Sequence, residues 1–207
     1  MVNLPILPPD QQAVLKTVLR LAQTCEYELE HTNQVTFLAV RLFDELHGQH
    51  HLKETERSWL VYASLLHDIG WIEGWKNHHK VSLRIILATP MLPFSNKERL
   101  IIGSIARYHS GSLPDLSHDH YSALLPAQRH LVDVLAGCLR LADSLDRSHQ
   151  QRIKDLHCKV TKKKILITFD AVQPIVEEIT AAQSKKNLLE LALARVVEIA
   201  VTDPAPV

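Results

Sequence analysis

The sequence of 207 residues contains little glycine, cysteine or aromatic side chain, and its formal net charge is zero. Its three cysteines, Cys25, Cys138 and Cys158, are odd in number and far apart, which argues against a disulfide framework. Because acidic and basic residues balance, no overall field attracts nucleic acid or an anionic membrane surface. No charged and apolar leader opens the chain, and no apolar run approaches a membrane span. These absences predict a cytoplasmic globular protein with neither a membrane nor a nucleic-acid partner.

Apolar residues recur at helical spacing over most of the first 150 residues. The predicted helices run over about 10–24, 31–48, 55–67, 78–88, 96–109 and 127–146. After that the pattern alternates, and a hairpin is predicted from 156–160 and 165–169, with 174–181 ambiguous and a last helix over 184–199. The fold class is therefore mainly α, a helical bundle with a small C-terminal α+β appendix. The predicted domains are 1–150 and 151–207.

The segment Leu65–Gly70, with the sequence LLHDIG, places a histidine and an aspartate at the end of an apolar helix. A buried carboxylate is costly unless it is paired or bound to a metal. Imidazole beside carboxylate is a metal-ligand pairing. Gly70 is expected to end the helix in the left-handed conformation, which would leave His67 and Asp68 at a helix terminus. A surface His-Asp pair is the alternative that this dipeptide alone leaves open.

Other metal-competent side chains fall on other predicted helices, and most of them lie at helix ends. Short connections make neighbouring helices antiparallel, so alternate ends can converge on one cavity. Asp143 stands out because it lies in an apolar stripe, where a carboxylate needs a partner. The candidates for one divalent ion are His31, His67, Asp68 and Asp143.

A second ion would require two further histidines, with Asp68 bridging both sites. His109, at the end of the fifth predicted helix, is one of them. The other is His79 or its neighbour His78, and the register with Ser82 favours His79. Two ions about 3.5–4 Å apart can clamp a phosphoryl group. Nitrogen and oxygen donors without thiolate suit Fe, Mn, Co, Ni or Zn, so one or two divalent transition-metal ions are expected.

This order of residues resembles the signature of the HD superfamily of metal-dependent phosphohydrolases, over about 31–146. A narrower likeness lies in the segments IARYH at 105–109 and LRLAD at 139–143, with LDRS at 145–148. With the C-terminal hairpin and helix, these segments resemble the HD-like C-terminal half of exopolyphosphatase/guanosine pentaphosphate phosphohydrolase proteins. The resemblance implies an HD-domain bundle, with His67 and Asp68 at the catalytic centre.

Two departures from that family bear on the activity. In the full-length relatives the known phosphatase chemistry belongs to an N-terminal actin-like half with glycine loops, and this chain has six glycines and no phosphate-loop motif. The HD half is often degraded in those relatives, whereas here the whole ligand set is present. The resemblance therefore favours a working metal site over inherited exopolyphosphatase activity.

A phosphate substrate also needs cations, and four basic residues lie near the predicted ligands. These candidate substrate-binding residues are Lys80, Arg107, Arg140 and Arg147. The predicted function is hydrolysis of a phosphate ester, nucleotide or polyphosphate by metal-activated water. A non-catalytic nucleotide- or polyphosphate-binding regulatory module and a di-iron oxygenase are the alternatives. The apolar loop around Trp71 and Trp75 is expected to be buried, with a lid or a homodimer contact as alternatives.

Overall fold

Most of the described chain, residues 6–200 of the computed structural model, is helical. The main helices are α1 (Pro9–Thr24), α2 (Leu29–Glu45), α4 (Glu54–Leu66), α5 (His78–Ala88), α6 (Asn96–Tyr108) and α8 (Pro126–Ser144), with the single turns α3 (His47–His50) and α7 (Asp119–Ser122) between them. A 3₁₀-helix over Ile69–Glu73 follows α4. The six predicted helices of the body are confirmed, each within a few residues of its predicted ends. The outermost residues of the predicted domains, 1–5 and 201–207, lie outside the described range.

Local signals explain where several helices begin. At the start of α6 the Ser95 hydroxyl accepts the backbone N–H of Glu98, whose carboxylate accepts the N–H of Ser95. This reciprocal capping satisfies two amide groups that a helix leaves without a partner. In α1 a proline occupies the first helical position, where no N–H is needed.

The C-terminal part forms a three-stranded sheet with two helices, α9 (Val176–Lys185) and α10 (Asn187–Leu193). Strands β1 (Ile153–Val160) and β2 (Lys164–Ala171) form the predicted hairpin, in antiparallel register. Strand β3 (Val196–Ile199) pairs in parallel with β2 at the other edge. The last predicted helix, over 184–199, is therefore wrong at its end, because the chain turns at Ala194, whose φ is +50°, and becomes a strand.

One apolar core joins the helices of the body to the sheet and to α10. The inward residues of β2, such as Ile165 and Ile167, are fully buried, as are most apolar residues of α8 from Val132 onward. Gly137 of α8 lies against α10, where a Cβ would come within 2.9 Å of Cα of Leu189. The C-terminal elements thus pack directly on α8, the helix that carries Asp143. Among residues 6–200 no helix is long and apolar enough to cross a bilayer.

Candidate metal centre

Several helix termini meet at one point of the bundle, and they carry five of the six side chains predicted as ligands. These are His31 in the first turn of α2, His67 and Asp68 after α4, His109 after α6 and Asp143 in the last turn of α8. Ligand atoms of His31, His67 and Asp143 lie within 4.8 Å of one another, and so do those of His67, Asp68 and His109. Side chains from separate helices therefore meet in one place, as the prediction required.

The turn after α4 is held against α5 by Gly70. Its backbone N–H donates to Oγ of Ser82 at 2.9 Å, and the Ser82 hydroxyl donates to the carbonyl of His67 at 2.7 Å. A Cβ on Gly70 would lie 2.1 Å from the backbone oxygen of His78, so this approach requires glycine. The φ of Gly70 is not positive, so the predicted left-handed cap is wrong. Glycine is needed at position 70 because α5 packs closely against it, and not because of its backbone conformation.

Backbone carbonyls fix the rings of His67 and His109. Nδ1 of His67 lies 2.6 Å from the carbonyl of Ser64, and Nδ1 of His109 lies 2.6 Å from the carbonyl of Ala106. A carbonyl only accepts, so each Nδ1 carries a proton and donates it. In the neutral ring the lone pair is then on Nε2, which points to the cluster.

The rings of His31 and His78, the first residue of α5, are oriented in the same way. Nδ1 of His31 is 2.9 Å from Oδ2 of Asp146, a buried carboxylate. Nδ1 of His78 is 2.8 Å from the carbonyl of Trp75. An oxygen that holds Nδ1 and turns Nε2 inward is the usual outer partner of a metal-binding histidine.

The inward Nε2 atoms face carboxylate oxygens and one another. Nε2 of His78 and of His109 each lie 3.3 Å from Oδ1 of Asp68, and 3.0 Å from each other. Nε2 of His67 lies 3.4 Å from Oδ2 of Asp68. The second carboxylate, Asp143, has Oδ1 at 3.5 Å from Nε2 of His31. Lone pairs that face lone pairs repel, so this arrangement requires a proton or a metal cation among them.

The electrostatics of the cluster favour ionised carboxylates. Burial raises the pKa of Asp143, but its hydrogen bond with His31 and the neighbouring histidines outweigh burial and lower the pKa to about 2. The pKa of Asp68 is lowered for the same kind of reason, chiefly by His67 against its burial. Burial lowers the pKa of His67 to about 4. Ionised carboxylates and a neutral imidazole are the protonation states that metal binding needs.

Like His109, His31 has a raised pKa. Burial disfavours its charged form, but hydrogen bonds and charges from Asp143 and Asp146 outweigh burial and raise its pKa to about 10. A proton on Nε2 of His31 would therefore face Oδ1 of Asp143, 3.5 Å away.

The residues present fit a divalent cation. Nε2 of His67 and Oδ1 of Asp68 are buried and have no hydrogen-bond partner among residues 6–200. A buried polar atom without a partner is costly, and a bound cation removes that cost. The donors are imidazole nitrogens and carboxylate oxygens without thiolate, a set that suits transition metals.

A cleft of about 700 Å³ opens onto this cluster. Cavities of this size hold small organic ligands. One wall is formed by α9, through residues that include Val176, Thr180 and Lys185. The indole of Trp71 lies at the cleft beside His78 and is 52% exposed. Trp75 is 73% exposed, so the expected burial of this loop is wrong.

The structure places His78, rather than His79, beside Asp68. His78 begins α5 and lines the cleft, with Nε2 close to both Asp68 and His109. His79 points away, toward the backbone of Gly111. Burial, followed by the charge of Arg107, lowers the pKa of His79 to about 3. The preference for His79 is therefore corrected in favour of the alternative that the sequence left open.

The predicted substrate-binding residues divide between the cleft and the interior. Arg147 lines the cleft, whereas Lys80 is exposed and is not among the residues that line it. Arg140 is buried and donates to the carbonyls of Tyr108 and Gly111. It therefore braces the loop that follows His109.

Arg107 is also buried and does not line the cleft. It donates to the carbonyl of Ser110 and to the hydroxyl of Ser112. Neither Arg107 nor Arg140 lines the cleft. Both instead form hydrogen bonds with residues 108–112, the segment that contains His109.

Sequence reasoning missed Asp146 as the partner of His31, and it missed Lys185 on the wall of the cleft. It also missed His149, whose ring stacks on His31 with centroids 3.9 Å apart. The position of Asp146 three residues after Asp143 offered a signal. Nothing in the sequence around Lys185 distinguishes it from an ordinary surface lysine.

Comparison with known proteins identifies a family and a curated relative. Residues 15–193 match the family described as "Ppx/GppA phosphatase, domain III". A curated relative, the guanosine-5'-triphosphate,3'-diphosphate pyrophosphatase of Pseudoalteromonas atlantica, is 28% identical over 123 residues. That alignment covers 58% of this chain and 24% of the relative. The chain thus spans about a quarter of the curated relative that it matches.

Proposed function

Because this chain belongs to the Ppx/GppA phosphatase domain III family, we propose that it is itself a metal-dependent phosphohydrolase of the HD type. Its active site would be the cluster of His31, His67, Asp68, His109 and Asp143, with His78 in the place predicted for His79. The substrate would be a phosphorylated nucleotide or a polyphosphate.

One observation carries this proposal. In all four histidines of the cluster, Nδ1 is bonded to an oxygen outside it, and Nε2 is turned toward Asp68 or Asp143. A structural role would need only hydrogen-bonded pairs, and would not leave Nε2 of His67 buried without a partner. Four Nε2 atoms turned toward two carboxylates are an arrangement that suits a divalent cation.

The ligand atoms suggest a division of roles among the residues. His31, His67 and Asp143 would hold one ion, and Asp68 with His67, His78 and His109 would hold that ion or a second one. A divalent cation bound here would polarise a phosphoryl oxygen and make water more acidic. In hydrolysis, water supplies the new oxygen on phosphorus, the bond to the leaving oxygen breaks, and that oxygen takes up a proton.

The cleft supports a phosphorylated substrate larger than phosphate alone. Its volume of about 700 Å³ is in the range of small-molecule sites. The relative from Pseudoalteromonas atlantica is named for a guanosine compound with a 5'-triphosphate and a 3'-diphosphate. A nucleotide or polyphosphate is therefore the first class of substrate to test.

A non-catalytic binding module is the second candidate. The family description names one domain of a phosphatase, and the alignment covers 24% of the relative. An activity that belongs to the whole relative could depend on its other parts. In that case this chain would bind a phosphorylated ligand at the same cluster without hydrolysing it.

Elemental analysis of the purified protein, followed by a hydrolysis screen, tests the proposal. Phosphomonoesters, phosphodiesters, nucleotides and tripolyphosphate should be assayed with wild-type protein, with Asp68→Ala and with the exposed control Asp170→Ala. We expect bound Fe, Mn, Co, Ni or Zn and phosphate release that Asp68→Ala abolishes. A metal-loaded protein that is inert toward every compound would favour the binding module. Full metal content and activity in Asp68→Ala would refute the site altogether.

A further inference from the structure

The lining of the cleft includes two cations that are not among the predicted metal ligands. Lys185 is the last residue of α9, and Arg147 follows the end of α8 by three residues. Both line the cleft that His31, Asp68, His78 and Asp143 also line. Within residues 6–200 neither cation has a hydrogen bond or a salt bridge to a protein group in this structure.

Charge in this part of the cleft is not balanced locally. Lys185 is partly buried, and the charges of Arg140 and Arg147 both reach it. Burial and then Arg140 lower the pKa of Lys185, while Asp143 opposes them. Asp143 also faces three histidines of the cluster, so bound metal would leave less of its charge for Lys185. Asp143 acts on both Lys185 and Arg140, and Arg147 adds a further positive charge near Lys185. An anion would stabilise this group of cations.

The other polar groups of α9 that line the cleft do not neutralise Lys185. The hydroxyls of Thr180 and Ser184 donate back to carbonyls of their own helix. Glu177 also lines the cleft, but it lies in the first turn of α9, eight residues before Lys185. At about 1.5 Å per residue, that separation is about 12 Å along the helix. The end of the wall near Lys185 is therefore cationic.

We propose that Lys185 and Arg147 form a second phosphate subsite, which binds a phosphoryl group adjacent to the one at the histidine-aspartate cluster. Rapid hydrolysis would then require a substrate with two or more linked phosphates, because a monoester leaves this subsite empty. This inference deepens the proposed function and rests on it for the position of the first phosphate. It also gives α9, in the C-terminal part, a direct role in substrate selection.

Binding and hydrolysis can be tested separately with tripolyphosphate and p-nitrophenyl phosphate. The variants are Lys185→Ala, Arg147→Ala and the double variant, with Lys159→Ala as a control that removes an exposed lysine outside the cleft. Lys185→Gln removes the charge but keeps most of the side chain, which guards against loss of packing. Thermal melting checks that every variant is folded.

We expect the double variant to bind tripolyphosphate at least tenfold more weakly than wild type by titration calorimetry, with each single variant in between. Turnover of tripolyphosphate should fall by a similar factor, and this loss should be at least fivefold larger than the loss in kcat/KM for p-nitrophenyl phosphate. The affinity of the wild type should fall with added salt more steeply than that of the double variant.

The outcomes separate this inference from the proposed function. If the wild type hydrolyses neither compound but the double variant loses tripolyphosphate binding, the hydrolase proposal fails and the subsite stands. If tripolyphosphate affinity in the double variant stays within twofold of wild type, the subsite is refuted whatever the hydrolysis shows. Equal losses on both compounds would also refute it, because the two cations would then act at the first phosphate.

Discussion

Nδ1 of His31 lies 2.9 Å from Oδ2 of Asp146, although the two residues are 115 positions apart in the chain. The other oxygen of Asp146 accepts the backbone N–H of Gln151 at 2.8 Å. The carboxylate is 1% exposed, so both contacts are protected from water. Asp146 thereby ties the start of α2 to the segment after α8, and it turns Nε2 of His31 toward Asp143.

Replacing Asp146 should weaken metal binding without removing a ligand. Outer partners of metal-binding histidines typically contribute about 10–100-fold in affinity or activity. We expect Asp146→Asn to lower the affinity for Zn²⁺ or Mn²⁺ by a factor in this range, measured by competition with a chelator. Asp170→Asn, at an exposed carboxylate paired with exposed His157, is the matched control. An unchanged affinity in Asp146→Asn would contradict the orienting role.

The adjacent histidines of α5 allow a sharp comparison. Nε2 of His78 lies 3.3 Å from Asp68, whereas His79 faces Gly111. We expect His78→Gln to lower bound metal per chain and to reduce any hydrolysis at least tenfold. His79→Gln should leave the metal content unchanged, and elemental analysis of both variants provides the measurement. A larger loss of metal in His79→Gln than in His78→Gln would instead support His79, the residue favoured by its register with Ser82.

His78 and His79 show a limit of what sequence periodicity can predict. Spacing identifies the residues that share a face within a helix, so it correctly predicted the apolar stripes of the body. His78 and His79 stand at the first two positions of α5, after Asn77 with φ of +63°. Which of them meets Asp68 depends on the path of the preceding loop and on the packing of α5 on Gly70. The spacing of residues along the sequence predicts neither the path of the loop nor this packing.

The C-terminal part was predicted less completely, for related physical reasons. The hairpin has strong alternation, and its two strands are close in sequence, so its prediction needed only local information. Strand β3 was missed because the turn before it uses Ala194 at positive φ, where a glycine would have been the signal. Lys185 reaches the cleft only because α9 packs across the end of α8. That contact depends on long-range packing.

Gly70 should be more sensitive to substitution than Gly48, which lies in the short helix α3. An alanine Cβ would lie 2.1 Å from the oxygen of His78 and 2.7 Å from the nitrogen of Ser82, and both are backbone atoms. We expect Gly70→Ala to lower the free energy of unfolding by about 3 kcal/mol, since overpacking of this kind moves backbone. Loss of bound metal should accompany it, because the same turn carries Asp68.

Gly48→Ala is the control for that experiment, because a Cβ there meets no atom within 4 Å. Alanine is favoured over glycine in helices by up to about 1 kcal/mol, so this variant should be neutral or slightly more stable. Urea unfolding at equilibrium measures both variants. Equal stability of Gly70→Ala and Gly48→Ala would show that α4 and α5 are not packed as closely as described.

We expect the stability of the folded state to depend on pH through His120, separately from the cluster of histidines and aspartates. Its ring packs beside Tyr108, with centroids 5.4 Å apart, and its Nε2 has no hydrogen-bond partner among residues 6–200. Burial, and then the charge of Arg107, lower its pKa from 6.5 to about 4. As the pH falls below 6.5, the unfolded chain binds this proton first, so the folded state loses stability until the pH passes 4.

The size of this effect follows from about 1.4 kcal/mol per pKa unit, reduced because the ring is partly in contact with water. We expect His120 to account for a loss of roughly 2 kcal/mol between pH 7 and pH 4.5. Urea unfolding of wild type and His120→Gln across this range, with a chelator in both, measures the difference. The variant should show the flatter curve, because glutamine does not titrate. Parallel curves would mean that His120 takes up its proton in the folded protein as readily as in the unfolded chain.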